Sequence, residues 1–411
     1  MSRTSKMDNL DSNGPTPALR FPEFDDGGAW QRETLCRLAS PVKEKATGGD
    51  NEDTLTLSGE MGLVPQGDYF GKQISGENVS RYIKIVRDDF VYNDRTTKAS
   101  KFGSIKRLSS TDGGIVSPIY KCFRFKGSQN PDFWDYYFEA QAHEAQLGGL
   151  VNEGARAGRF NISIDKFLSI DVWKPSSPEQ ERIAECLASI DTLIEVETEK
   201  LDALKDHKQG LMQQLFPAEG ESLPALRFTQ FEDQEDWRVT PLGDECDLYQ
   251  PQTLSKSQLS EDGEFLVYGA NGVIGRHVEY NHAESEVIVT CRGATCGEVH
   301  QSKPMSWITG NAMVVRPKSP SLHKDFLAHL LRADGLQSVI TGSAQPQITR
   351  AGFAPLPVSI PSSEEEQEAV ASTISSVDTL ISAQKSRVEV LKNHKLGLLQ
   401  KLFPVLDEVD G

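Results

Sequence analysis

The chain has 411 residues and a mass of 45.4 kDa, and this length predicts two to four domains. Its 37% hydrophobic and 25% charged residues are typical of a soluble globular protein, and no stretch approaches the roughly 18 apolar residues that a membrane-spanning helix needs. The 43 basic and 60 acidic residues give a net charge of −17, which argues against a chain that coats nucleic acid or an anionic membrane with its whole surface.

The first segment of the chain is polar. Residues 1–16 are predicted to be disordered, and no basic stretch followed by an apolar core marks a secretory leader. The six cysteines are scattered and form no C-x-x-C pair, so we expect reduced thiols and no metal site. These features predict a cytoplasmic protein.

Two parts of the sequence occur twice. The residues Pro-Ala-Leu-Arg-Phe stand at 17–21 and again at 224–228, and each copy is followed by a tryptophan, Trp30 or Trp237. Residues 187–217 also match residues 374–404, with 15 of 31 positions identical and the same ending, Leu-Phe-Pro. The stretches between these repeats do not resemble one another. The repetition predicts a duplicated plan of variable domain and repeat, written twice.

The first variable domain, residues 1–174, reads as α+β. Alternating apolar residues predict strands at 81–86, 90–92 and 119–125, and Asn130 precedes a helix predicted over 133–147. The second variable domain, residues 218–360, has the same style, with strands predicted at 265–268 and 287–290 and a helix at 324–332. A short linker, 218–224, opens it.

The repeats, at 175–217 and 361–411 with a C-terminal tail, read as long spacer helices of about 37 residues, or about 55 Å at 1.5 Å per residue. Serines 177 and 363 and the Gln or Glu three residues later predict capping boxes. Apolar residues at alternating spacings of three and four form a coiled-coil seam. The seam comprises Leu187, Ile190, Ile194, Leu201, Leu204, Leu211, Leu215, Ile374, Val377, Ile381, Val388, Leu391, Leu398 and Leu402.

Polar residues interrupt the two seams at equivalent places, Glu197 with Gln384 and Lys208 with Lys395. They either fix the register of the helices or lie at the edge of the seam, where lysine reaches solvent. Each helix needs a partner, and the other copy is the obvious one. We therefore predict two antiparallel coiled-coil helices, a variable domain at each end and pseudo-twofold symmetry within one chain.

The charge is unevenly distributed. Residues 175–264 hold 7 basic and 21 acidic residues, whereas residues 68–126 hold 12 basic and 6 acidic and residues 265–350 hold 8 and 6. Each variable domain therefore has a positive segment that suits phosphate binding. No P-loop, G-x-G-x-x-G motif or nuclease carboxylate cluster is present. Residues 130–133, Asn-Pro-Asp-Phe, differ from the Asn-Pro-Pro-Phe motif of adenine methyltransferases and predict a helix start instead.

In order along the chain, these motifs resemble those of the specificity subunit of type I restriction–modification systems. The resemblance rests on both Pro-Ala-Leu-Arg-Phe segments with their tryptophans and on both Leu-Phe-Pro helices. It also rests on residues 114–120, 161–163, 268–275 and 342–348, which are similar to the family's target-recognition segments.

The resemblance implies a non-catalytic subunit that recognises a bipartite asymmetric site in double-stranded DNA, one half with each variable domain. It also implies that the two long helices set the gap between half-sites and dock two modification subunits. Restriction subunits then join this complex. S-adenosylmethionine, ATP and Mg²⁺ are expected in those partners and no cofactor in this chain; methylation of adenine and ATP-dependent cleavage belong to the complex. The resemblance also implies the cytoplasm of a bacterium or archaeon, and no membrane partner is expected. The alternatives are a stand-alone DNA methyltransferase or nuclease, and a coiled-coil adapter that binds no DNA.

Candidate DNA contacts are side chains that suit bases or phosphates, in positive segments or glycine-rich loops. They are Lys72, Gln73, Arg95, Lys98, Lys101, Lys106 and Arg107 in the first domain, and Asn271, Arg292, Thr295, Gln345, Gln347 and Arg350 in the second.

Overall fold

The computed structural model describes residues 14–47, 53–59, 61–71, 79–95, 101–127, 129–148, 150, 162–218, 220–270, 272–342 and 344–404. The fold mixes helices with sheets, as predicted. The chain divides into two compact units. Unit 1 is Met1–Val196 with Val388–Gly411, and unit 2 is Glu197–Arg387. Each unit therefore holds one variable domain and part of each spacer helix. Residues 1–13 of the segment predicted to be disordered lie outside the described residues, whereas the carbonyl of Pro15 accepts a hydrogen bond from Trp30 N–H at 3.2 Å.

Unit 1 is built around two four-stranded sheets and a two-stranded ribbon. Its strands are β1 Gln31–Thr34, β2 Ala39–Pro41, β3 Thr54–Ser58, β4 Gly62–Pro65, β5 Ile83–Val86, β6 Asp89–Asn93, β7 Ser104–Arg107, β8 Gly113–Val116, β9 Lys121–Phe125 and β10 Asp171–Lys174. One sheet has the order β2-β9-β6-β7 and the other β4-β3-β8-β5, in which β3 and β8 are parallel. The antiparallel ribbon pairs β1 with β10, Gln31 opposite Lys174.

The short helices of unit 1 include one break that the sequence did not predict. They are α1 Leu35–Leu38, α2 Gln66–Phe70, α3 Pro131–Glu139, α4 Glu144–Gly148 and α5 Ile164–Phe167. The helix predicted as continuous over 133–147 is wrong in its length, because Gln141 takes a left-handed φ of 59° and separates α3 from α4. Asn130 does start α3, since its Oδ1 accepts from Phe133 N–H at 3.0 Å.

Two long helices of 39 residues each follow the variable domains. Helix α6 is Ser177–Leu215 and helix α10 is Glu364–Leu402. At 1.5 Å per residue each is about 58 Å long. Every residue of the predicted seam is buried or half-buried. His207 and His394, which occupy equivalent positions in the two helices, are exposed.

Unit 2 repeats the ribbon of unit 1 but carries different sheets. Its strands are β11 Arg238–Pro241, β12 Cys246–Tyr249, β13 Phe265–Gly269, β14 Gly272–His277, β15 Val287–Thr290, β16 Val299–Gln301, β17 Trp307–Ile308, β18 Ala312–Pro317 and β19 Pro357–Ile360. Strands β11 and β19 pair as a ribbon, and the sheets have the orders β12-β18-β15-β16 and β14-β13-β17. The short helices are α7 Leu242–Glu245, α8 Lys324–Asp334 and α9 Arg350–Phe353.

The polar residues of the seam form contacts between the two helices. In unit 2, Lys208 Nζ lies 2.6 Å from Asp378 Oδ1, and Gln384 Nε2 donates to Glu197 Oε2 at 2.7 Å. The pairs 208–378 and 197–384 run in opposite directions, so the helices are antiparallel there. In unit 1, Lys395 Nζ lies 2.8 Å from Asp191 Oδ1. Both lysines therefore bind an aspartate of the repeated Asp-Thr-Leu-Ile sequence, which favours the register interpretation.

The Glu197–Gln384 contact predicts a pH-dependent stability. The hydrogen bond from Gln384 lowers the pKa of Glu197 below its usual 4.5. A lowered carboxylate pKa stabilises the folded state above the unfolded pKa, and this contribution disappears as the pH falls through the lowered value. We expect unit 2 of Gln384→Leu to lose less stability than unit 2 of the wild-type chain when the pH falls below about 4.5. Urea denaturation of both proteins from pH 7 to pH 3 measures the difference; an identical pH dependence would contradict this assignment.

A repeated ion pair joins each tryptophan segment to the start of a long helix. Glu179 accepts from Arg20 Nε and Nη2 at 2.8 Å and from Trp30 Nε1 at 3.1 Å. In unit 2, Glu366 accepts from Arg227 Nε and Nη2 at 2.8 Å and from Trp237 Nε1 at 2.9 Å. All three groups are almost fully buried in each unit.

The capping boxes predicted for α6 and α10 are wrong. The Gln180 side chain bonds Pro175 O instead of capping, and the Glu366 carboxylate is held by arginine and tryptophan. Only half of one box forms, where Ser363 Oγ accepts from Glu366 N–H at 3.2 Å. The stronger, charge-assisted bonds to arginine outcompete a cap at the N-terminal backbone.

An aromatic cluster repeats behind each ion pair. In unit 1 the ring centroids of Trp30 and Phe133 are 5.9 Å apart, and those of Phe133 and Phe403 are 5.5 Å apart. The corresponding values in unit 2 are 5.6 Å for Trp237 with Phe326 and 5.5 Å for Phe326 with Phe216. We call the ribbon, ion pair, aromatic cluster and helix segments of each unit its frame. The two frames are alike, although the sheets they hold differ.

Candidate nucleic-acid interface

Three loops of unit 2 meet where β13 and β15 end. The carbonyl of Ala270, just after β13, accepts hydrogen bonds from Thr290 Oγ1 at 2.9 Å and from Thr295 Oγ1 at 2.6 Å. The predicted contact residue Thr295 therefore ties the loop after β15 to the loop after β13. Both hydroxyls are used inside the protein, so their clearest role is to fix the shape of this surface.

The loop after β15 also pairs with the segment that precedes α9. Arg292 forms an antiparallel bridge with Gln347, and Gly293 N–H donates to Pro346 O at 3.2 Å. Ile348 N–H closes the contact by donating to Cys291 O at 3.0 Å. Gly293 has a φ of 98°, which favours glycine and lets the loop turn back onto this segment.

The predicted residues of unit 2 share one surface as a result. Arg292, Gln345, Gln347 and Arg350 are exposed, and among the described residues no hydrogen bond or ion pair holds their side chains. Asn271 lies outside the described residues. Arginine suits guanine and glutamine suits adenine in the major groove, and both also bind phosphates. The surface, which we call the unit 2 loop surface, therefore offers four available donors on a hydrogen-bonded base.

The predicted residues of unit 1 concentrate on one hairpin. Arg95 and Lys101 flank the loop between β6 and β7, and both are exposed. Lys106 is half-buried on β7. Lys72, Gln73 and Lys98 lie outside the described residues. The hairpin thus presents two exposed cations, Arg95 and Lys101, and a half-buried third, Lys106, on its second strand.

Arg107 lies on the same strand but is held by acidic residues. Its guanidinium contacts Asp88 at 3.1 Å, Asp132 at 2.5 Å and Asp135 at 3.6 Å, and its side chain is 12% exposed. Burial raises the pKa of Asp135, and the charge of Arg107 opposes that rise. These contacts tie β7 to α3, so they favour a structural role for Arg107 over a DNA contact.

A basic cleft in unit 1 contains residues that the sequence analysis did not select. Its volume is about 630 Å³, and Lys43, Lys45 and Lys121 line it together with apolar side chains. Lys45 Nζ donates to Arg81 O at 3.2 Å, and Lys121 Nζ lies 2.5 Å from Asp94, next to Arg95. The lysines at alternate positions, 43 and 45, could have indicated a basic surface. They were overlooked because the net charge of their segment, 1–67, is negative.

The described part of the chain contains neither a metal-binding cluster nor a membrane-spanning helix. No group of three or more His, Cys, Asp or Glu residues there is arranged to hold a metal ion. No helix in that part is long and apolar enough to cross a membrane.

Comparison with known proteins supports the resemblance to type I specificity subunits. Residues 234–393 match the model of the type I restriction modification DNA specificity domain. The chain is also 22% identical over 352 residues to the type I restriction enzyme MjaVIII specificity subunit of Methanocaldococcus jannaschii, which covers 79% of this chain and 82% of that protein. The chain as a whole is thus similar to type I specificity subunits, and residues 234–393 are similar to their DNA specificity domain. The EcoprrI specificity subunit of Escherichia coli is 28% identical over 164 residues, 38% of this chain and 40% of that protein.

Solved structures show that the fold is shared. The S subunit of a type I restriction-modification system from M. genitalium matches with a TM-score of 0.62 at 15% identity, over 96% of this chain and all of that one. A chain from a structural study of complex assembly and conformational transition of the type I R-M system matches with a TM-score of 0.55 at 18% identity, over 91% and 97%.

The family match places the unit 2 loop surface within a DNA specificity domain. All three loops that build it, around Ala270, Arg292 and Gln347, fall inside residues 234–393. Exposed hydrogen-bond donors on a rigid base are groups that can bind the bases or phosphates of DNA.

Proposed function

We propose that this chain is a type I specificity subunit that recognises a bipartite, asymmetric site in double-stranded DNA, with one half read by each variable domain. The observation that carries the proposal is the pair of matching frames that hold different sheets. The matching frames form the same scaffold twice. The different sheets and loops that they hold form two different surfaces. An asymmetric site in two parts is the target that suits two different readers.

The unit 2 loop surface and the β6–β7 hairpin with its neighbouring cleft are the proposed DNA contacts. Arg292, Gln347 and Arg350 supply donors in unit 2, and Arg95, Lys101 and Lys43 supply them in unit 1. The overall charge of −17 does not oppose this role, because the acidic residues concentrate in 175–264, outside these segments.

We further propose that α6 and α10 form a continuous antiparallel coiled coil that sets the gap between the half-sites and docks two modification subunits, to which restriction subunits add. Leu193 and Leu380, at equivalent places in the repeats, are 39% and 55% exposed and suit such docking. Adenine methylation and ATP-dependent cleavage, with S-adenosylmethionine, ATP and Mg²⁺, are assigned to those partners, and this chain is assigned no catalytic step.

DNA binding by the complex reconstituted with the modification subunits of the same host tests the proposal. We expect the affinity for DNA containing the host's target site to fall linearly with salt on logarithmic axes, because phosphate contacts release counterions. At fixed salt, random DNA should bind at least 10³-fold more weakly. Equal affinity for target and random DNA would contradict sequence recognition, and turnover of DNA by the chain alone would favour the stand-alone enzyme.

A further inference from the structure

Equivalent places in the two frames have opposite charge balance. Helix α3 in unit 1 corresponds to α8 in unit 2, since Phe133 and Phe326 fill the same position in the aromatic clusters. Their preceding residues, Asn130 and His323, also correspond, because the backbone N–H of each donates to Gln180 or Gln367, the glutamines at equivalent places near the starts of α6 and α10. By this correspondence, Glu139 of α3 is matched by Arg332 of α8.

In unit 1 this place is satisfied internally. Lys395 Nζ lies 2.9 Å from Glu139 Oε1 and 2.8 Å from Asp191 Oδ1, and it stands 5.2 Å from the ring centroid of Tyr136. Burial lowers the pKa of Lys395, but the hydrogen bonds to Asp191 and Glu139 more than offset it and raise that pKa. One cation is thus held by two carboxylates.

In unit 2 the balance is reversed, because the charge of Asp378 acts on two cations, Lys208 and Arg332, and only Lys208 forms an ion pair with it. Lys208 Nζ lies 2.6 Å from Asp378 Oδ1. Arg332 is half-buried and forms no ion pair with any described residue. Its guanidinium instead donates to Val299 O at 3.2 Å and meets His329 Nδ1 at 3.3 Å. Burial lowers the pKa of His329 to about 4, so this histidine is neutral and supplies no countercharge.

Arg332, which forms no ion pair with a described residue, lines a cleft. The cleft has a volume of about 420 Å³ and is lined by Lys205, Lys208, Gln209, Met212, Gln213, Arg332 and Ala333. Lys205 is already paired with Asp202 at 2.8 Å, so Arg332 is the cation left over. Burying a charge without an ion pair is costly. Burial lowers the pKa of Arg332, and the charges of Asp378 and Asp325 only partly oppose that change. An anionic group from outside the chain would remove that cost.

We propose that this cleft receives an acidic side chain of a docked modification subunit, whereas the matching place in unit 1 does not. The occupant is a carboxylate on a flexible side chain because Arg332 is recessed beside Met212 and the glutamines of α6, where a glutamate can reach and the phosphates of a stiff duplex fit poorly. The inference rests on the proposed scaffold function and adds that its two docking places are chemically different.

Arg332→Glu tests the proposal. This change reproduces the unit 1 pattern, since a glutamate at this place can pair with Lys208 and close the site to an outside carboxylate. Titration of the full chain with the modification subunit of the same host, followed by native mass spectrometry, resolves the first and second binding steps. We expect Arg332→Glu to weaken one step at least tenfold and to leave the other unchanged, and Arg332→Gln to have a smaller effect in the same direction. Lys256→Glu, an equal charge change at an exposed site of unit 2, should change neither step.

The other outcomes are distinct. Two unchanged steps with Arg332→Glu would overturn the proposal, provided that the variant melts at or above the wild-type temperature. If Arg332→Glu weakens the binding of DNA and leaves both subunit-binding steps unchanged, the cleft binds a phosphate of DNA. That result would also overturn the proposal. If the wild-type chain binds no modification subunit, the scaffold function itself fails and the inference with it.

Discussion

Removing the Glu366 carboxylate is expected to destabilise unit 2 by about 3–5 kcal/mol, the usual loss when one partner of a buried ion pair is deleted. In Glu366→Ala, Arg227 would stay buried without a countercharge and Trp237 Nε1 would lose its acceptor. Because the ion pair joins the tryptophan segment to the start of α10, the loss should reach the ribbon β11–β19 as well.

Hydrogen exchange in urea measures this loss separately for each unit. Glu179→Ala should produce the same loss in unit 1, where Arg20 and Trp30 hold the equivalent contacts. Glu364→Ala, an exposed change on the first turn of α10, is the matched control and should cost under about 1 kcal/mol. A loss as small for Glu366→Ala as for this control would contradict the role given to the ion pair.

Replacing Arg292 and Gln347 together by alanine is expected to abolish recognition of one half-site and leave the other intact. Each good contact between a side chain and a base contributes about 1–3 kcal/mol of discrimination, so the pair should reduce the preference for that half-site at least 100-fold. The two residues bridge each other through their backbones, which alanine preserves, so the surface should keep its shape.

Binding to DNA with either half-site scrambled measures the effect. With the double variant, scrambling one half should no longer matter, and scrambling the other should matter as before. Arg238→Ala removes an exposed arginine of the frame, paired with Glu245, and serves as the control with both preferences retained. A uniform loss of affinity for all DNA, with unchanged preferences, would show that these residues bind only phosphates.

The sequence predicted the repeated parts of this protein well because repetition is visible without an alignment. The seam residues are buried or half-buried, and strands were found close to 81–86, 90–92, 265–268 and 287–290. The roles of Glu179 and Glu366 were missed, although both stand in the repeats, because local spacing suggested a capping box at each helix start, with Gln180 and Glu366 three residues after its serine. Their partners, Arg20 and Arg227, lie 159 and 139 residues away along the chain.

The candidate site was predictable only in part, for the same reason. Arg292 and Gln347 stood out by residue type, and the structure brings their loops together. Arg107 stood out equally, yet three aspartates surround it in space, two of which lie 25 or more positions along the chain. The sequence did not reveal that Glu139 and Arg332 occupy equivalent positions. Helices α3 and α8 share little more than Asp-Phe, so only their contacts in the structure match them.

Mapping of methylated adenines in the genome of a host that carries this chain with its partner subunits tests the central claim most directly. Two different readers on matching frames predict one dominant motif made of two unlike half-sites, separated by a fixed gap of unspecified bases, with an adenine methylated in each half. A continuous motif, a symmetric motif or no methylation attributable to this chain would contradict the account.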